Sequence, residues 1–223
     1  MHSPLAVDYR GFRLSKISEP QFRHLWWLLF CPLYWLRYPL IERLNPAKYY
    51  HPIYCHFDDM IPFQEWFIIP YMLWMVTMIA LCLYTLCYDV DTFKRYSRFL
   101  VISISISTVI FFLYPSCQNL RPAIFPRENF LTNCVKLLYA VDTNTNVFPS
   151  EHAIGSVAVW VAAIHTRSLR TPLRITLITL LAMFTCFSTV FLKQHSVIDI
   201  FAAIPVCMVA YYFSFGRKER EHQ

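Results

Sequence analysis

The chain is short of two things that a water-soluble globule or a disordered chain would need. Charged residues fill only 15% of its 223 positions, against about 25% in a typical soluble domain. A globule of this size could not coat itself for water with so few. Glycine occurs three times, which excludes collagen-like repeats and glycine-rich linkers, and an aromatic content of 17% argues against disorder. No basic face or lysine-rich arm accompanies the net charge of +6. The Lys and Arg residues sit in short clusters between apolar runs, so no nucleic-acid partner is expected. The first apolar run starts near Leu25, is rich in tryptophan and lacks a small-residue cleavage site; it is expected to remain in the mature protein. Internal repeats, low-complexity stretches and interdomain linkers are missing as well.

What the chain does have is hydrophobicity in long blocks: 57% apolar residues and a mean hydropathy of +0.39. Crossing a bilayer takes about 20 mostly apolar residues. Six stretches qualify, at roughly 25–41, 66–86, 99–116, 149–165, 172–192 and 196–215. The first is the weakest, because it holds Arg37, Pro32 and Pro39. The alternation Ile102-Ser103-Ile104-Ser105-Ile106-Ser107 has a strand's period, but uninterrupted apolar runs elsewhere speak against a β-barrel. On a helix, Ser103 and Ser107 share a face and allow close packing. The expected fold is all-α: a polytopic six-helix membrane bundle over 22–215, with cytoplasmic tails at 1–21 and 216–223. Thirteen of the 20 Lys and Arg residues fall on the side of the termini, which places that side in the cytoplasm. The connections 42–65, 117–148 and 192–195 then face outward. Tyr49, Tyr50, Tyr54 and Trp66 suit an interfacial aromatic belt.

Ionisable residues avoid the apolar runs, so the exceptions carry information. Asp199 lies about one turn inside the last span, where an unpaired carboxylate is costly. His195 stands four residues earlier, and an i,i+4 pair shares a helix face. A carboxylate on the imidazole Nδ1–H would leave Nε2 as a nucleophile; a structural His–Asp pair is the plainer alternative. Pro149-Ser150-Glu151-His152 opens the fourth span, where a helix N-terminus offers free N–H groups to an anion. A simple helix cap would also account for it. Arg121-Pro122 follows the third span, and Arg carries a planar donor fork suited to phosphate. All three groups fall on the outward side of the expected topology. Together they assemble two His, an Asp, an Arg and a Ser, a set suited to phosphoryl transfer.

In order and spacing these groups resemble the motifs of the type 2 phosphatidic acid phosphatases, membrane relatives of the vanadium haloperoxidases. That family carries Lys-x6-Arg-Pro, Pro-Ser-Gly-His and Ser-Arg-x5-His-x3-Asp. Here the corresponding stretches run from Tyr114 to Arg121-Pro122, over Pro149 to His152, and from Ser188-Thr189 through His195 to Asp199. The resemblance covers roughly 60–215. It implies that His195 attacks phosphorus to form a phosphohistidine and that Asp199 orients it. His152 would act as acid and then base, with Arg121, Ser150 and backbone N–H groups holding the phosphoryl oxygens. No metal or other cofactor is implied, because the protein supplies the cations.

Tyr114 stands where the family has Lys, Thr189 where it has Arg, and Glu151 where Gly is common. Lys193 is the candidate replacement for one missing cation. The expected activity is hydrolysis of a lipid phosphate monoester or diphosphate, such as phosphatidate or a polyprenyl diphosphate. Two alternatives stand beside it: transfer of a phospho-headgroup to an alcohol, as in the related sphingomyelin and inositol-phosphorylceramide synthases, and a silent lipid-phosphate binder. Expected partners are the lipid phosphate substrate and membrane lipids, with homo-oligomer formation left open. Of the eight cysteines, Cys117 and Cys134 fall in one outward connection, where a bridge would clamp the loop of Arg121. His51, Cys55, His56 and Asp58 have zinc-ligand chemistry in a spacing that matches no strong pattern and are read as an interfacial loop.

Overall fold

A computed structural model describes residues 5–44 and 47–216. The C-terminal tail with Arg217, Lys218 and Arg220, and the first four residues, lie outside the described residues.

A seven-residue 3-10 turn, Arg23–Leu29, leads into α1 (Phe30–Leu44). A short helix α2 (Phe57–Met60) and a 3-10 turn (Glu65–Phe67) precede α3 (Ile68–Tyr88). Then follow α4 (Val90–Leu113), α5 (Phe130–Val141), α6 (Glu151–His165), α7 (Pro172–Phe191) and α8 (Val197–Tyr211), the last running into a π-turn at Tyr212–Gly216. Among the described residues, four helices are long and apolar enough to cross a membrane: Glu65–Tyr88, Val90–Leu113, Pro172–Phe191 and Val197–Gly216. The fold is helical, as read from the sequence, and four of the six expected spans meet this measure. At 15 residues each, α1 and α6 extend roughly 22 Å, short of the ~30 Å hydrocarbon core.

The third expected span also begins in a different place. The helix starts at Val90, nine residues before Phe99, because Asp89 caps it: its side chain accepts the Thr92 N–H at 3.0 Å and the Thr92 hydroxyl at 2.9 Å. Lys94, Arg95 and Arg98 therefore ride on its first turns. The Ile-Ser alternation is absorbed into this helix, with Ser103 and Ser107 fully buried and bonded back to Phe99 and Ser103 carbonyls.

Helix α6 is the axis of the bundle and packs on α3, α4, α7 and α8. Its sequence explains the position. Gly155, Ser156, Ala158, Ala162 and Ala163 keep its flanks thin, and those alanines are completely buried, so four backbones can approach it. At one end the long connections interlock. Two-residue strands β1 (His51–Pro52) and β2 (Ser116–Cys117) pair in parallel. Arg127 and Asn129 bind the Glu65 carboxylate at the start of α3. The N-terminal segment docks at the opposite end, where Ala6 N–H and Tyr9 hydroxyl donate to the Cys87 and Leu86 carbonyls. Cys117 and Cys134, whose pairing the sequence left open, are both free thiols. Cys117 is committed to β2, and Cys134 packs against the apolar cluster of Phe63, Phe67 and Val135.

Candidate active site

His195 lies in the five-residue connection between α7 and α8, and the chain fixes it from both sides. Helix α7 closes with a Schellman motif: Gln194 N–H donates to Thr189 O at 2.8 Å and Lys193 N–H to Val190 O at 3.1 Å, with Lys193 in the left-handed region at φ 55°. His195 N–H adds a second bond to the Thr189 carbonyl at 3.1 Å. One residue later Ser196 caps α8 in a capping box, its own N–H donating to Asp199 Oδ2 at 2.9 Å. The same Oδ2 lies 3.2 Å from His195 Nδ1. One carboxylate oxygen thus serves as both helix cap and imidazole partner.

With the Nδ1 proton on the Asp199 side, His195 Nε2 carries the lone pair. His152 Nδ1 stands 3.3 Å from that nitrogen. His152 occupies the first turn of α6, which Ser150 caps by accepting the Ala153 N–H at 3.4 Å. Ser150 N–H donates to the Asp199 backbone carbonyl at 3.0 Å, tying the starts of α6 and α8 together. The His152 ring lies between Tyr71 and Trp74, with centroids 4.5 and 4.4 Å away. Ser150 and Asp199 are fully buried, and His195 is 7% exposed. Burial of this kind makes the hydrogen bonds among these groups stronger than they would be in water.

The expected phosphate ligands are nearby but differently engaged. Arg121 donates to the Tyr139 carbonyl (3.2 Å), the Asp142 carbonyl (2.7 Å) and Gln194 Oε1 (2.6 Å). It thereby closes the C-terminus of α5, stacks over the Tyr139 ring and reaches the residue before His195. Lys193 Nζ donates to the Asp58 carbonyl at 2.6 Å. Burial lowers the pKa of this ammonium from its ordinary value, with Asp58 and Asp59 opposing the shift. Thr189 turns its hydroxyl to the Cys186 carbonyl and contributes its backbone oxygen instead. Tyr114 stacks on His51 at 4.3 Å.

Two residues gain roles that their sequence positions did not announce. Asp58, 2% exposed, accepts from Ser196 Oγ at 2.6 Å, Val197 N–H at 2.9 Å and Cys55 N–H at 2.8 Å. It is a second carboxylate at the N-terminus of α8, delivered from far away in the chain. Arg37, the anomaly of the first apolar run, donates to Glu151 Oε2 at 2.6 Å and to Thr108 Oγ1 at 2.7 Å. The signal that could have paired Arg37 with Glu151 was present: opposite charges in two apolar runs, both costly unless joined. For Asp58 no spacing signal exists.

A family model described as the PAP2 superfamily matches residues 95–221, more than half of the chain, and the chain belongs to that superfamily. Members are typically phosphatases acting on phosphate esters. No curated protein and no solved structure matches the chain.

Proposed function

We propose that this protein is an integral-membrane phosphatase that hydrolyses a phosphate monoester or diphosphate of a lipid through a phosphohistidine. The observation that supports the reading best is the relay His152 Nδ1–His195 Nε2 (3.3 Å) and His195 Nδ1–Asp199 Oδ2 (3.2 Å). His195 Nε2 attacks phosphorus while the bond from phosphorus to the leaving oxygen breaks. His152, protonated on both nitrogens when the anionic phosphate group is bound beside it, gives its Nδ1 proton to that oxygen. It then takes a proton from a water molecule, whose oxygen displaces His195 and releases inorganic phosphate. Asp199 holds the His195 Nδ1 proton throughout and stabilises the ring as it gains charge. N–H groups at the start of α6, with Ser150, face the developing negative charge, and Arg121 and Lys193 supply positive potential beside it. No step calls for a metal.

In this reading α1 and α6 complete a six-helix bundle, and the site opens on the extracytoplasmic face, where the basic-residue count places it. The test is phosphate release by purified protein from a panel of lipid phosphates with EDTA present, comparing the native chain with His195→Ala. Release by the native chain alone is expected. Product that forms only with an added alcohol would indicate headgroup transfer. Lipid phosphate affinity without turnover, indifferent to His195→Ala, would overturn the enzyme reading.

A further inference from the structure

Helices α3 and α7 leave a seam between them, backed by Ser156 and Val159 of α6 and bordered at one end by Leu169. On α3 its lining runs from Thr77 to Tyr84, and on α7 from Ile178 to Thr185. Both sets follow the i, i+3, i+4, i+7 spacing of a single helix face. The small side chains of Ala80 and Ala182 leave the depression among larger apolar neighbours, and Ala80 is exposed. Both helices are long and apolar enough to cross a membrane, so the seam faces hydrocarbon.

The end beside Leu169 is strongly basic. Arg167, Arg170 and Arg174 lie close together in the chain, and all three are exposed. The sequence holds no Asp or Glu between Glu151 and Asp199. Among the described residues, none of the three arginines forms an ion pair. Arg174 continues the α7 stripe one turn before Ile178. Its Nη1 donates to the Ser168 carbonyl at 2.6 Å, and the Ser168 hydroxyl lies 2.8 Å from the Tyr84 hydroxyl. These bonds hold the guanidinium against the end of the seam. Arg170 is held in the same way, from Nε to the Ile164 carbonyl at 2.6 Å. A guanidinium carries five N–H donors, so each keeps others for a ligand.

From Arg174 to Thr185 the stripe covers roughly 16 Å of helix. That is half of the ~30 Å hydrocarbon core, the depth of one leaflet. An apolar seam of that depth suits an acyl chain, and unpaired arginines at its surface end suit a phosphate. An acidic peptide would make no use of the seam. A second copy of the chain, docked symmetrically, would set arginine against arginine. We infer that an anionic phospholipid binds here from the leaflet on the side of the N-terminal segment, one acyl chain in the seam and its phosphate on Arg170 and Arg174. This lipid is separate from any substrate at His195: His152 opens α6, whereas the arginines follow its far end.

The test uses the full-length protein in phosphatidylcholine nanodiscs with a small share of phosphatidylglycerol carrying a diazirine on one acyl chain. Irradiation should label α3 and α7 along the seam, at residues such as Ala80 and Leu181, and unlabelled phosphatidylglycerol should displace the label. Phosphatidylcholine with the same diazirine should show no displaceable preference for the seam. Arg174→Ala should raise the phosphatidylglycerol needed for half-displacement about fivefold, the worth of one basic residue at an anionic surface. Arg98→Ala removes an exposed charge from the first turns of α4, which does not line the seam, and should leave it unchanged. Ala182→Phe fills the seam without altering charge and should abolish the displaceable label. Equal effects of Arg174→Ala and Arg98→Ala would reduce the site to diffuse attraction and overturn the inference. Seam labelling that ignores headgroup charge would overturn it too. So would a missing seam label, whether or not cross-linking shows a second copy covering α3 and α7. The comparison of the two headgroups on the native protein decides the matter even where a variant fails to fold.

Discussion

Asp199 carries two duties on one oxygen, and substitution separates them. Asn at this position retains an acceptor but no charge to stabilise His195 as it becomes cationic. Asp199→Asn is therefore expected to lower kcat by roughly 10²–10⁴-fold, the range of a lost acid–base contribution, with a much smaller change in KM; steady-state kinetics checks it. Asp58 never meets the substrate in this account, yet it accepts from the first residues of α8. Asp58→Ala should lower unfolding stability by about 1–2 kcal/mol, as loss of a helix cap does, and should reduce turnover through misplacement of His195. A fall in stability with unchanged kcat would deny it the positioning role. The sequence exposed His195 and Asp199 through i,i+4 spacing within an apolar run, and the Ser196-x-x-Asp199 capping box was equally readable there. Asp58 was not, because a carboxylate acting from a distant loop leaves no local pattern.

Between elements, the ion pair Arg37–Glu151 fastens α1 to the start of α6. Both side chains are largely removed from solvent, at 15% and 13% exposure. Breaking such a pair from one side leaves the other charge uncompensated, which costs about 3–5 kcal/mol. Arg37→Met alone should be strongly destabilising in thermal unfolding, while Arg37→Met combined with Glu151→Gln should recover most of the loss. Equal effects of the single and double variants would show that the pair does not join the helices. The apolar blocks were legible as helices because length and hydropathy alone define them. The start of α4 was missed because Asp89 capping extends a helix through charged residues that a hydropathy reading discards. The shortness of α1 and α6 was also hidden, since apolar sequence does not say where a helix stops.

Across the whole molecule, the connections read as outward all meet at one end. Lys193 reaches Asp58, Gln194 reaches Arg121 and Asp142, and β1 pairs with β2. This convergence follows from topology, so the order of apolar blocks was enough to anticipate it. The hydrogen bonds that lock it were beyond reach, because they join residues as far apart as Asp58 and Lys193. A cysteine placed at exposed Asn133 in a cysteine-free background should react with a membrane-impermeant maleimide from outside intact cells, and one at Arg167 should not. The reverse pattern would invert the orientation.

The proposed catalysis turns on one nitrogen, His195 Nε2, and trapping can reach it directly. Rapid acid-free quenching of the native protein during turnover of a ³²P-labelled lipid phosphate should trap an acid-labile, base-stable phosphoryl group that peptide mapping assigns to His195. The label should be missing in His195→Ala, together with turnover. Turnover that persists in His195→Ala, with no phosphohistidine in the native protein, would contradict the account.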